Sequence, residues 1–224
     1  MINSRANARI TGVLFILGTV PPIVGGLLWG PLVSSPDYLS TMAANSGQVL
    51  SLALFDLLFL GLACASIGIS LYPVLKRHGE ALALGAMGFR LIEGALQIVG
   101  AVILVALLAV SQEFVKAGSP TDSVFQSAGA AIKTVRDWAA NGSAVFPWCA
   151  GAFIYYTVFY RTRLIPRWLS VWGLLGLTLF LASAFAAMFG LIDLFSPPQM
   201  ILSLPILVQE LVLAVWLIVK GYKE

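Results

Sequence analysis

The chain has 224 residues, 59% of them hydrophobic and only 10% charged, with a mean hydropathy of +0.94. A soluble domain carries about 25% charged residues, and 13 basic plus 10 acidic side chains cannot clothe this chain against water. Its solvent is therefore lipid. The sequence pI near 9.0 does not point to nucleic acid, because the basic residues form no stripe or run. Cys64 and Cys149 both lie in apolar stretches and indicate no disulfide framework.

Crossing a hydrocarbon core of about 30 Å takes roughly 20 mostly apolar residues. The first qualifying segment is Ile10–Pro31. Arg5 and Arg9 precede it as in a signal peptide, but the run exceeds a signal core of about 7–15 residues. It also carries Pro21-Pro22, so a permanent, kinked span is expected. Ser35-Pro36-Asp37 then reads as an N-cap, a first-turn proline and an acid opening a short helix over Tyr38–Ala44. Spans two and three follow at Val49–Leu75 and Leu82–Ser111.

Thr121-Asp122 opens a segment with Val124, Ala128, Ile132 and Val135 on one side and Gln126, Lys133 and Asp137 on the other. Such a helix lies on the outer surface or extends the fourth span, as an ordinary connection or as a lid. Spans four to six are Ala139–Tyr160, Trp168–Leu191 and Met200–Val219, with kinks expected at Pro147 and Pro205. The expected fold is all-α: one polytopic six-helix transmembrane domain over residues 1–224, with short outer-surface helices. A 3+3 inverted repeat fits this topology, but its only sequence parallel is Glu93 in span three against Glu210 in span six.

Lys and Arg set the orientation. With the N-terminus inside, Arg5, Arg9, Lys76, Arg77, Arg161, Arg163, Arg167, Lys220 and Lys223 are cytoplasmic, against Lys116, Lys133 and Arg136 outside. This bias predicts both termini on the cytoplasmic side of the cell inner (plasma) membrane. Tyr72, Tyr160, Trp168, Trp216 and Tyr222 fall near the inner boundary, and Trp29, Tyr38 and Trp138 near the outer one. The bilayer is the first partner. A membrane-protein partner or a second copy of the chain stays open, since small-residue pairs such as Gly26/Gly30 and Gly61/Ala65 say only that helices approach closely. No nucleic acid is expected.

Four ionisable residues fall inside spans: Asp56, Arg90, Glu93 and Glu210. Each costs about 2.5–3.5 kcal/mol at a helix centre, on the order of 10 kcal/mol together before pairing. At 100° per residue, Ala86, Arg90, Glu93, Gln97 and Gly100 share one polar face of span three. Arg90 and Glu93 are three apart and within reach of each other. Glu210 lies at a similar depth with Gln209 beside it, and Asp56 lies nearer the outside. If all four ionise, one positive charge faces three negative ones. A proton, a cation or a small cationic ligand is then expected to make up the balance. The competing reading is architectural: Arg90 bridges Glu93 and Glu210 and fixes helix packing.

The residue inventory excludes several enzyme classes. The single histidine, His78, sits in a Lys76-Arg77-His78-Gly79 turn, so bis-histidine haem, HExxH zinc and an intramembrane Ser–His dyad all fail. No P-loop and no intramembrane lysine is present, and no cofactor or metal site is expected. Three functions remain: a small transporter or proton/cation-linked permease built on Arg90, Glu93, Gln97, Gln209 and Glu210 with Asp56 at its mouth; a non-catalytic accessory subunit; and, least supported, a carboxylate-only enzyme acting on lipid.

The runs Leu71–Glu93 (LYPVLKRHGEALALGAMGFRLIE), Arg163–Gly176 (RLIPRWLSVWGLLG) and Gln209–Gly221 (QELVLAVWLIVKG) resemble a bacterial family of multi-spanning membrane proteins, domain of unknown function 4386. Asp37-Tyr38-Leu39 and Arg136-Asp137-Trp138 extend the resemblance over nearly the whole chain. It implies a six-helix membrane fold and brings no activity. Arg90, Glu93, Gln209 and Glu210 fall within the resembling motifs.

Overall fold

Apolar composition is what makes the long helices, and in the computed structural model, which describes residues 4–120 and 124–223, they account for nearly every segment. Six helices are long and apolar enough to cross a membrane: Arg5–Ser34, Ser46–His78, Glu80–Lys116, Val124–Thr162, Arg167–Met188 and Pro197–Val219. An even number of crossings brings both chain ends to one end of the bundle, called here the termini end; the other is the far end.

In chain order the helices are α1 (Ser4–Ser34), α2 (Tyr38–Ala44), α3 (Ser46–Phe55), α4 (Ala63–Leu75), α5 (Glu80–Lys116), α6 (Val124–Asp137), α7 (Val145–Thr162), α8 (Arg167–Met188) and α9 (Pro197–Val219). Helix α5 has 37 residues, about 55 Å at 1.5 Å per residue, and packs against α2, α3, α4, α6 and α7. Helices α8 and α9 pair, and α9 returns to α1. One apolar core holds Phe15, Leu71, Tyr155, Tyr156, Phe159 and Leu213. A second, under α2, is built from Val33, Leu39, Met42, Val49, Leu104 and Phe114.

Tyr38–Ala44 forms the short helix expected there, but its cap differs. Asp37 is the N-cap and makes no side-chain capping bond, while the Ser35 hydroxyl donates to Thr41 Oγ1 at 3.3 Å. The amphipathic α6 runs on into span four and so extends it; Thr121 and Asp122 lie outside the described residues. Pro21, Pro22 and Pro31 are accommodated inside an unbroken α1.

Two stretches are wound as π-helix, Asp56–Leu62 between α3 and α4 and Trp138–Ser143 between α6 and α7. The second has a local cause. Pro147 lacks the N–H that would bond the Ser143 carbonyl, and the irregular turn ends at that residue. The perturbation therefore precedes Pro147, which sits in the first turn of α7.

Candidate functional site

Arg90 is the best-buried charge among the described residues, at 2% exposure. Two glycines let its neighbours come close. A Cβ on Gly68 of α4 would stand 2.7 Å from Arg90 Cβ, and one on Gly151 of α7 would press on α5 just before Arg90, 3.1 Å from the Ala86 carbonyl and 3.2 Å from Phe89 Cβ. Held between these helices, the guanidinium turns to its own helix: Nη1 lies 2.9 Å from Glu93 Oε2, one turn on. Its Nε donates to the Cys64 carbonyl at 3.4 Å.

Glu210 of α9 approaches the same region and is buried. It and Arg90 are within electrostatic range, but no salt bridge joins them among the described residues. Thr19 of α1 reaches Glu210 instead, with its hydroxyl 3.4 Å from Oε2, and the Trp148 indole lies beside the carboxylate. Glu210 Oε1 is buried with no hydrogen-bond partner. The bridge from Arg90 to both acids is thus corrected: the pair is Arg90–Glu93, and Glu210 is separate from it.

The remaining candidates disperse. Gln209 points away from Glu210, because successive helix residues face 100° apart. Its side chain accepts the Tyr156 hydroxyl and donates to the Leu169 carbonyl at 3.0 Å, locking α7, α8 and α9 together. Gln97 shares the polar face of α5 but lies two turns from Arg90, and it donates to the Ala140 carbonyl at 3.0 Å. Asp56 leaves the cluster altogether. It pairs with Arg136 Nη2 at 3.3 Å, and Arg136 also holds Asp137 at 3.1 Å. The count of one positive against three negative charges is corrected accordingly: Asp56 has its own cation, and one arginine faces two glutamates.

Sequence reasoning missed Thr19, Trp148 and Tyr155. Tyr155 is fully buried, and its hydroxyl has no aligned hydrogen-bond partner. It lies within range of Glu210, Glu93 and Arg90. A threonine two residues before a double proline was a signal for the first. Arg136 was visible as one of three basic residues at the far end and in the Arg136-Asp137-Trp138 motif, with nothing to pair it with Asp56. At the far end a cleft of about 200 Å³ is lined by Thr134 and Asp137 of α6 together with Trp138 and Asp193. Among the described residues no group of three or more His, Cys, Asp or Glu could hold a metal ion.

The family model for a domain of unknown function, DUF4386, matches residues 10–221. No curated protein and no solved structure matches the chain. With six apolar helices and a match over nearly its whole length, the chain is a multi-pass membrane protein belonging to the DUF4386 family.

Proposed function

We propose that this protein is a small proton- or cation-linked permease of the inner (plasma) membrane, with both termini cytoplasmic and Glu210 as the group that exchanges its counter-charge. One observation carries this reading. Glu210 is 8% exposed and has one oxygen without a partner, while the nearest cation, Arg90, is spent on Glu93. An intramembrane carboxylate left over after pairing is costly, and a bound proton or cation removes the cost. Helix α5 carries Gln97 and Glu93 at successive depths, and α1 and α9, which close on Glu210, are the elements whose parting would expose it.

The architectural reading has its own support, the close and buried Arg90–Glu93 pair set between glycines. Melting profiles in detergent between pH 5 and 8 separate the two. If Glu210 exchanges a proton or cation, Glu210→Gln stays folded but loses pH- or ion-dependent shifts in melting temperature that the unmodified protein shows. If Glu210→Gln tracks the unmodified protein at every pH and in every salt tested, Glu210 is scaffold and the permease reading falls.

A further inference from the structure

We infer that the site between α1 and α9 holds a monovalent cation of sodium's size, bound by Glu210, the Thr19 hydroxyl and main-chain carbonyls of α1. This rests on the permease reading and narrows its coupling species from proton or cation to cation.

The first argument is geometric. The Thr19 Oγ1–Glu210 Oε2 separation of 3.4 Å is long for a hydroxyl–carboxylate hydrogen bond, which centres near about 2.7 Å. It is the separation expected of two adjacent oxygens on one ion. At metal–oxygen distances of about 2.4 Å, ligands at a right angle stand about 3.4 Å apart.

The second argument concerns the backbone. Pro21 and Pro22 lie inside α1 and have no N–H. The carbonyls of Leu17 and Gly18, four residues earlier, therefore lack their helical donors, and these two residues immediately precede Thr19 in the chain. Carbonyls freed one and two residues before the threonine that reaches the carboxylate are the kind of oxygen donor a hard cation takes inside a membrane protein. Helices α1 and α9 are already in backbone contact nearby: a Cβ on Gly12 would stand 2.6 Å from the Ala214 carbonyl. That close packing brings Thr19, about two turns along α1, to Glu210, one turn back along α9.

The third argument is charge. Arg90 and Glu93 neutralise each other at 2.9 Å. The other titratable groups in electrostatic range of the site are Cys64 of α4 and Cys149, Tyr155 and Tyr156 of α7, and thiols and phenols ordinarily carry no charge at neutral pH. Glu210 contributes one negative charge, and its unpartnered Oε1 supplies a further ligand. A monovalent ion balances this charge, whereas a divalent ion would leave a positive charge beside Arg90.

The test is the melting temperature of the purified protein in detergent, at constant ionic strength and pH, with choline replaced by sodium or potassium. Sodium should raise it in a saturable way. Thr19→Val should shift the half-maximal sodium concentration upward about tenfold, and Thr19→Ser should restore it. Pro22→Ala returns an N–H to the Gly18 carbonyl, and it should weaken the sodium response without lowering the basal melting temperature. If sodium and potassium have no effect beyond choline while acidification still shifts melting through Glu210, the cation is overturned and the coupling ion is a proton. If neither has an effect, this inference and the permease reading fall together. A full sodium response retained in both Thr19→Val and Glu210→Gln would also overturn the site.

Discussion

Arg90 illustrates what one residue demands of its neighbours. A guanidinium in the bundle interior needs a counter-charge, acceptors and space. Glu93 supplies the first, the Cys64 carbonyl shares in the second, and the absence of a side chain at Gly68 supplies the third. Glycine in membrane helices is often read as a sign of helix approach, yet here glycines of similar sequence context differ sharply. A Cβ at Gly68 would meet Arg90 Cβ at 2.7 Å and the Met87 carbonyl at 3.2 Å, whereas one at Gly26 or Gly30 would meet nothing within 4 Å. Overpacking a filled interior costs about 1–3 kcal/mol. Gly68→Ala should therefore destabilise the protein by about that amount in denaturation measurements. Gly26→Ala should be neutral or slightly stabilising, because alanine is the better helix former. Equal effects at the two positions would show that the seating of Arg90 is not tight.

At the scale of elements, the spans were legible because the signal is long: about 20 apolar residues bounded by charge leave little choice. The short helix at Tyr38–Ala44 was legible from its opening residues, although Asp37, not Ser35, stands at the N-cap position and makes no capping bond there. The convergence of Arg90 with Glu93 was legible from i, i+3 spacing alone. The partner of Asp56 was not, because it lies 80 residues away on α6 and no local pattern encodes that distance. The π-helical stretch Asp56–Leu62 was equally hidden; its composition is that of any apolar helix, and only packing selects the winding. That stretch begins at Asp56, and the second begins immediately after Arg136 and Asp137. The ion pair therefore joins the starts of two irregular turns that both pack on α5. Both side chains are 13% exposed, so the pair is largely shielded from solvent. A double-mutant cycle with Asp56→Asn and Arg136→Gln should give a coupling of about 0.5–3 kcal/mol in favour of the intact pair. A coupling indistinguishable from zero would mean that the π-helical turns are held by packing alone.

For the whole molecule, the distribution of charge decides how the bundle sits in its membrane. The termini end carries Arg5, Arg9, Lys76, Arg77, Arg161, Arg163, Arg167, Lys220 and Lys223; the far end carries Lys116, Lys133 and Arg136. The far-end set is further reduced by pairing. Lys116 is bound to Glu113 at 2.7 Å, Lys133 to Asp137 at 3.6 Å, and Arg136 to Asp56 and Asp137. At the termini end, Lys76 is bound to Glu80 at 2.9 Å. Basic residues near span ends resist translocation, so the termini end is expected to stay in the cytoplasm. The two native cysteines, Cys64 and Cys149, are buried, which keeps background labelling by thiol reagents low. With a membrane-impermeant maleimide on intact cells, Ser119→Cys in the turn after α5 should label, and His78→Cys in the turn between α4 and α5 should label only after permeabilisation. Both positions are solvent-facing turns at opposite ends of α5, so the pair reports orientation rather than local burial. Labelling of His78→Cys in intact cells, with Ser119→Cys protected, would invert the bundle. The cleft beside Asp137 and Asp193 would then open to the cytoplasm rather than to the outside.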